Sequence, residues 1–235
     1  MSDGAILERY VGEAVWLTLS RPAKANAYTQ PMLVALEAAI QRAEGSRQVR
    51  VIVVTGDGDG AFCAGADRAE LANRDWRDVA NLPAARVFAR LQSSPLVSIA
   101  AINGAAVGGG FELALHCDLR IASDRASFWL PEPEFGLLPA AGGVRLLPRV
   151  VGAMRANDVI LGGARWTAED AWRAGLISEV AAHTELRTTV EKWLRRVVAR
   201  DASALTWAKR LMAIGASDGL DRLAQSALVK DQRQR

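Results

Sequence analysis

Three consecutive glycines, Gly108 to Gly110, stand between the apolar run LVSIAAINGAAV and the helix-like FELALHC, which carries Glu112. Glycine weakens helix and strand interiors, so a triplet at a strand-to-helix junction marks backbone that comes close to something a side chain would obstruct. A helix starting there presents unpaired N–H groups and a partial positive charge, and Glu112 falls in its first turn, where the dipole favours a carboxylate. The junction therefore suits an approaching ligand oxygen, as one half of an oxyanion hole. It equally suits close packing of helix on strand, with Glu112 as an ordinary first-turn acid.

The flanking sequence sets this junction in an α/β pattern. AVWLTL at 14 to 19 reads as a strand, and SRPAKANAYTQP supplies turn chemistry before a proline-started helix. Met32, Leu33, Leu36, Ala39, Ile40 and Ala43 then recur at helical spacing. VRVIVVTG is a continuous apolar run of the kind buried on both faces of a sheet, giving a β-α-β unit. DGDGAFCAGADRAEL reads as a glycine-punctuated loop entering a short helix, and a longer helix covers residues near 82 to 92. LVSIAAI, DLRIAS and LISEV read as further strands. Thr167 with Asp170 forms a capping box, Gly175 a helix stop, and the pattern from about Thr184 is helical with a break near Gly215 to Gly219. The 235 residues suit one substantial domain: a spiral of β-β-α or β-α units over 1–183 and a small helical subdomain over 184–235.

Composition narrows the function classes. Apolar residues come in short blocks, none reaching the eighteen or so needed to span a bilayer, and the acidic start MSDGAILERY does not resemble a secretory signal, so a cytoplasmic protein is expected. The net charge of +3 is scattered among acids, which disfavours nucleic acid as a partner and leaves an anionic small molecule open. Cys63 and Cys117 lack metal-ligand spacing, and no metal site is expected. The triplet lacks the G-x-G-x-x-G order of dinucleotide-binding loops.

A second apolar-glycine loop, AFCAGAD at 61 to 67, offers backbone donors at Ala64, Gly65 and Ala66. The Pro-rich LPEPEFGLLPAAGG adds Glu132 and Glu134, and one of them facing Glu112 would complete a pair of carboxylates for acid/base work on a carbonyl compound. His116 and His183 read as structural, and Trp129 and Trp166 as core or pocket-wall aromatics.

RPAKANA, AFCAGAD, INGAAVGGGFELALHCDLRIAS and LPEPEFGLLPAAGG, in that order, resemble the enoyl-CoA hydratase/isomerase (crotonase) family over roughly residues 5 to 225. The resemblance implies a crotonase-like ββα spiral core with a C-terminal helical subdomain. It implies an acyl-CoA thioester whose carbonyl oxygen is held by the N–H groups of Ala64 and Gly109, with CoA contacts at Lys24, Ala25, Ala27, Ala64, Gly65, Ala66, Asp67 and Gly109. Glu112 and Glu132 match the family's catalytic glutamates, Glu132 rather than Glu134 because it follows the Pro that precedes the Gly-Leu pair. Holding both carboxylates favours an enoyl-CoA hydratase using no cofactor beyond the CoA of its substrate; a Δ3-Δ2 isomerase, another crotonase-type decarboxylase or hydrolase, or a non-catalytic acyl-CoA binder are the alternatives. Residues 71 to 88 would shape the acyl pocket. The resemblance also implies a homotrimer or a dimer of trimers, and the family's further C-terminal segment, which covers CoA, is not matched after LDRLAQSALVKDQRQR.

Overall fold

In the computed structural model, which describes residues 4–72, 77, 81–215 and 219–232, the apolar runs assemble into two sheets. Strand β1 (Ala5–Val11) forms an antiparallel hairpin with β2 (Ala14–Ser20). β2 then pairs in parallel with β3 (Val51–Gly56), followed across the sheet by β5 (Val97–Ile102), β7 (Leu119–Ser123) and β10 (Glu179–Ala181). The smaller sheet runs β4 (Ala61–Cys63), β6 (Ala105–Val107), β8 (Ser127–Trp129) and β9 (Trp166–Thr167). After the opening β1–β2 hairpin, which lies wholly in the large sheet, each turn of the chain from β3 to β8 gives its first strand to the large sheet and its second to the small one, then returns through helix. Thus β3 and β4 lead to α2 (Arg68–Ala72) and α3 (Pro83–Ser93), β5 and β6 to α4 (Gly109–His116), and β7 and β8 to α5 (Gly143–Val151) and α6 (Ala153–Ile160). This is the expected ββα spiral.

The inner strands β2, β3 and β5 of the large sheet are covered on both faces, which is why they lack polar alternation. Val15, Leu17, Leu19, Ile52, Val54, Ala100 and Ile102 point inward, onto the buried face of α1 (Gln30–Gly45) and the other helices of the main core. Their strand neighbours Ala14, Trp16, Val51, Val53, Ile99 and Ala101 point the other way, where Leu186, Val190, Leu194 and Val197 of α8 (Leu186–Val198) cover them. The six apolar residues read at helical spacing from Met32 to Ala43 are all buried in α1, which Thr29 caps. The capping box Thr167/Asp170 starts α7 (Ala168–Arg173) as expected.

Beyond α8 come α9 (Ala202–Ile214) and α10 (Leu220–Gln232). Lys209 fastens α9 to the sheet: its Nζ donates to Leu96 O at 2.8 Å and to Asp118 Oδ2 at 2.7 Å, the oxygen that also accepts from Ser98 N–H and O–H. Among the described residues no helix is long and apolar enough to cross a membrane.

The sequence reading missed β1 and the three-residue strands of the small sheet. AFCAGAD, read as a loop, begins with β4.

Candidate active site

The glycine triplet lies where β6 meets α4, and each glycine answers to a different neighbour. Gly108 caps α4 at φ +51°, in the left-handed region; its N–H donates to Trp129 O, and a Cβ there would lie 2.5 Å from Glu132 Oε1. A Cβ on Gly109 would collide with the Tyr28 hydroxyl. A Cβ on Gly110 would collide with the carbonyl oxygen of Cys63, in β4. The triplet thus combines the two expectations, an open helix N-terminus and close helix-on-strand packing.

Two carboxylates flank this N-terminus. Glu112, in the first turn of α4, is 3% exposed, and its Oε1 accepts the Gly143 N–H at 2.8 Å. Burial pushes its carboxyl up to about 7, and the nearby Glu132 charge adds to the rise, while the backbone N–H groups of Gly143 and Ala141 oppose it. Glu132 opens a short 3-10 turn, Glu132–Phe135, with Oε1 against the Gly108 backbone and Oε2 buried with no hydrogen-bond partner among the described residues. Burial raises its carboxyl as well. Glu134, in the same turn, is exposed. The fold therefore brings Glu132, and not Glu134, to Glu112.

The turn at 21 to 28 and the loop at 61 to 67 are zipped together beside this pair. Ala64 N–H donates to Ala25 O at 3.0 Å, Tyr28 N–H to Gly65 O at 2.8 Å, and Asp67 N–H to Tyr28 O at 2.9 Å. This corrects one expectation: the Ala64 N–H is already engaged and is not a free donor for a ligand oxygen. Ala66, held between the two Tyr28 bonds, has an N–H that makes no hydrogen bond among the described residues. Its neighbour Gly65 lies against α4, since a Cβ there would come within 3.2 Å of Gly109 N.

The remaining residues expected at CoA line the same two segments. Lys24 and Ala25 are exposed, while Ala27, Ala66 and Asp67 are half-buried. The Asp67 carboxylate receives Arg21 Nη1 at 2.6 Å and the Ala69 N–H at 2.9 Å, and the Arg21 hydrogen bond holds it below the usual carboxylate range. Ala25 and Asn26 both sit at positive φ, +50° and +55°. Asn26, fully buried, fixes that backbone by accepting from Arg21 N and donating to Asp57 O and Ala61 O. Asn103 similarly accepts from Gly56 N and donates to Gly58 O and Ala61 O. The sequence reading passed over Asn26, Asn103 and Tyr28; an Asn in a turn without glycine was the available signal for Asn26, because Asn tolerates positive φ.

The other singled-out residues play no polar part at the carboxylates' oxygens. His116 is buried, its Nδ1 is 2.8 Å from Glu112 O, and burial pushes its imidazole down to about 4. His183 bonds Ser123 and Asp59. Trp129 lies under the Arg165 guanidinium, and Trp166 pairs with Phe128 across the small sheet. Cys63 and Cys117 are buried free thiols pushed up to about 12 by burial. Of the segment expected to shape the acyl pocket, 73–76 and 78–80 lie outside the described residues; Phe88 is buried and meets Tyr28 edge-on, with ring centroids 5.7 Å apart.

Known proteins share this chain's sequence and fold. The family profile described as "Enoyl-CoA hydratase/isomerase" matches residues 12–230. A crotonyl-CoA hydratase of Syntrophomonas wolfei is 33% identical over 222 residues, covering 94% of this chain and 85% of that protein. The crystal structure of an enoyl-CoA hydratase from Bacillus anthracis superposes with a TM-score of 0.91 at 30% identity, covering 96% of this chain and 91% of that one. A Thermobifida fusca chain solved in complex with CoA superposes with a TM-score of 0.87 at 31% identity, covering 98% and 95%.

Proposed function

The chain belongs to the enoyl-CoA hydratase/isomerase family, and from that premise we propose that it adds water reversibly and syn to a trans-2-enoyl-CoA, forming the 3-hydroxyacyl-CoA. The observation that carries this reading is the convergence of Glu112 and Glu132 on the N-terminus of α4, both partly or wholly buried and both with raised pKa. Two carboxylates serve an addition that must take a proton from water and give one to carbon.

In this reading the thioester oxygen accepts the N–H groups of Gly109 and Ala66, Ala66 replacing Ala64 because its N–H is unengaged among the described residues. Glu112 takes a proton from the water whose oxygen attacks the β-carbon. The π electrons of the C2–C3 bond move onto the thioester oxygen as an enolate, and its collapse takes a proton from Glu132 onto C2. Donors aimed at that oxygen stabilise the developing charge more than the ground-state carbonyl, which lowers the barrier. The proton held on Glu112 returns to Glu132 between turnovers, so the cycle needs no redox cofactor and only the CoA carried by the substrate. The expected assembly as a homotrimer or dimer of trimers belongs to the same reading; Met212, Ile214 and Leu223 on α9 and α10 give it exposed apolar surface.

The test is the loss of enoyl-thioester absorbance on trans-2-enoyl-CoAs of several chain lengths, followed as a function of pH. Water activation needs ionised Glu112, whose carboxyl titrates at about 7. Glu132 must hold a proton while Glu112 has lost one, so kcat/KM is bell-shaped in pH, falling at low pH as Glu112 takes up a proton and at high pH as Glu132 ionises. A profile with no acid fall contradicts the assignment of Glu112 as base, and one with no alkaline fall contradicts Glu132 as the proton donor.

A further inference from the structure

We propose that His116 is a positioning residue for the water-activating carboxylate, its imidazole ring bracing the Gly142–Gly143 backbone that holds Glu112; this rests on the reading that Glu112 is the base. Glu112 and His116 stand four residues apart on α4, one turn from each other on a single face. The start of α5 meets both. The Gly143 N–H donates to Glu112 Oε1 at 2.8 Å, and a Cβ on Gly142 would lie 2.4 Å from His116 Cε1 and 3.0 Å from Nε2, so the ring edge rests on the Gly142 backbone. The donor that reaches Glu112 belongs to the peptide unit joining these two glycines. A shift of Gly142 is therefore a shift of that N–H.

Neither glycine has a side chain to fix this peptide, and Gly142 sits at φ +127°. Its carbonyl is tied into α5 by the N–H groups of Arg145 and Leu146, at 3.1 and 2.8 Å, and its Cα packs on the His116 ring and the Leu146 side chain. The ring is itself held: His116 is 1% exposed, its centroid lies 5.9 Å from that of Phe88, and its Nδ1 is 2.8 Å from Glu112 O. A carbonyl only accepts, so Nδ1 carries the proton. Burial, which pushes the imidazole down to about 4, keeps the ring neutral near pH 7, and His116 places no charge against Glu112. The charged groups that face the pair are Glu132, from the 3-10 turn, and Arg145, from α5. What His116 supplies is geometry: it keeps the Gly143 N–H on the carboxylate, and a hydrogen bond to the ionised form favours ionisation.

His116→Asn and His116→Gln separate the ring's two contacts. The Asn amide stands in for Nδ1 and keeps the bond to Glu112 O, but has no atom at Gly142. The Gln amide extends to the place of Nε2, against Gly142, and gives up that bond. Three quantities are read: the pH profile of kcat/KM on a trans-2-enoyl-CoA, the titration of Glu112 by NMR of protein carrying 13C at the glutamate carboxyl carbons, and the melting temperature. The Glu112 signal is the one absent from Glu112→Gln. The expected result is that Asn moves both the acid midpoint and the Glu112 titration upward by about one pH unit, a fall of about tenfold in kcat/KM on the acid side, while Gln leaves both close to wild type. A midpoint displaced in His116→Gln overturns the proposal whatever His116→Asn does. So does a lowered melting temperature with neither titration moved, the signature of a structural histidine, or an acid limb that vanishes in both variants, which would make His116 the titrating base. Hydration with a Glu112 titration that ignores His116→Asn defeats the positioning role alone. A Glu112 titration that follows His116→Asn in a protein that hydrates no enoyl-CoA defeats the hydratase reading and leaves the positioning role standing.

Discussion

Glu112→Gln is expected to lower kcat by about 10³-fold or more while acyl-CoA affinity changes less than about threefold, as measured by steady-state hydration and by calorimetric titration with butyryl-CoA. Gln keeps the shape and the oxygen that accepts the Gly143 N–H at 2.8 Å, so the loop at 141 to 143 stays in place and only the base is lost. The same substitution is expected to stabilise the protein above pH 7. The folded-state value of about 7 lies above the ordinary 4.5, so the unfolded chain releases this proton first. Stability contributed by neutral, buried Glu112 is fully present below about 4.5 and is lost as pH rises through about 7. Gln has no proton to lose, and the gain at pH 8 is of the order of 2 to 3 kcal/mol. A variant equally inactive but no more stable at pH 8 would show that Glu112 is not ionised against the fold, and would remove the reason for placing the water-activating base there.

Gly110→Ala is expected to be among the most destabilising single methyl additions the chain can receive, at about 3 kcal/mol or more in urea unfolding. The new Cβ would meet the carbonyl oxygen of Cys63 well inside van der Waals distance, with the carbonyl carbon at 2.7 Å and Cys63 Cβ at 2.8 Å. None of these is the end of a flexible side chain. Relief requires β4 to move away from α4, and β4 leads into the loop that presents Ala66. Activity should therefore fall with stability. Gly45→Ala, at the end of α1 with no atom within 4 Å of the new Cβ, is the control and should be neutral or stabilising by up to about 1 kcal/mol. Similar midpoints for the two variants would mean that the packing of α4 on β4 is slack, and that the triplet is glycine for the ligand alone.

The contrast between these glycines shows where the sequence was readable. That a helix begins after Gly108 with Glu112 in its first turn follows from local chemistry, because glycine, dipole and apolar spacing all act within a few residues. The inward and outward alternation of β2, β3 and β5 was visible only as an unbroken apolar run, since both faces are covered. The small sheet was not legible: AFC, AAV and SFW are three residues each, too short for a period, and they are strands because they pair with one another across long stretches of chain.

The site divides along the same line. Glu112 and Glu132 stand in motifs that could be matched in sequence, and the fold turns both to one point. Which N–H of AFCAGAD is unengaged depends on a bond from Ala64 to Ala25, a partner that no local pattern reveals. Tyr28 was passed over as a turn residue, and only the bare backbone of Gly109 leaves room for its hydroxyl at the start of α4.

The central claim is that two carboxylates on one helix N-terminus add water across a conjugated thioester. Incubation with crotonyl-CoA in D2O, followed by mass spectrometry and proton NMR of the product, tests it most directly. The expected product is 3-hydroxybutyryl-CoA with deuterium added at C2 on the same face as the new hydroxyl oxygen at C3, formed by wild type and not by Glu112→Gln or Glu132→Gln. Crotonyl-CoA recovered unchanged by a protein that binds it, or a double bond moved without added water, would contradict the account.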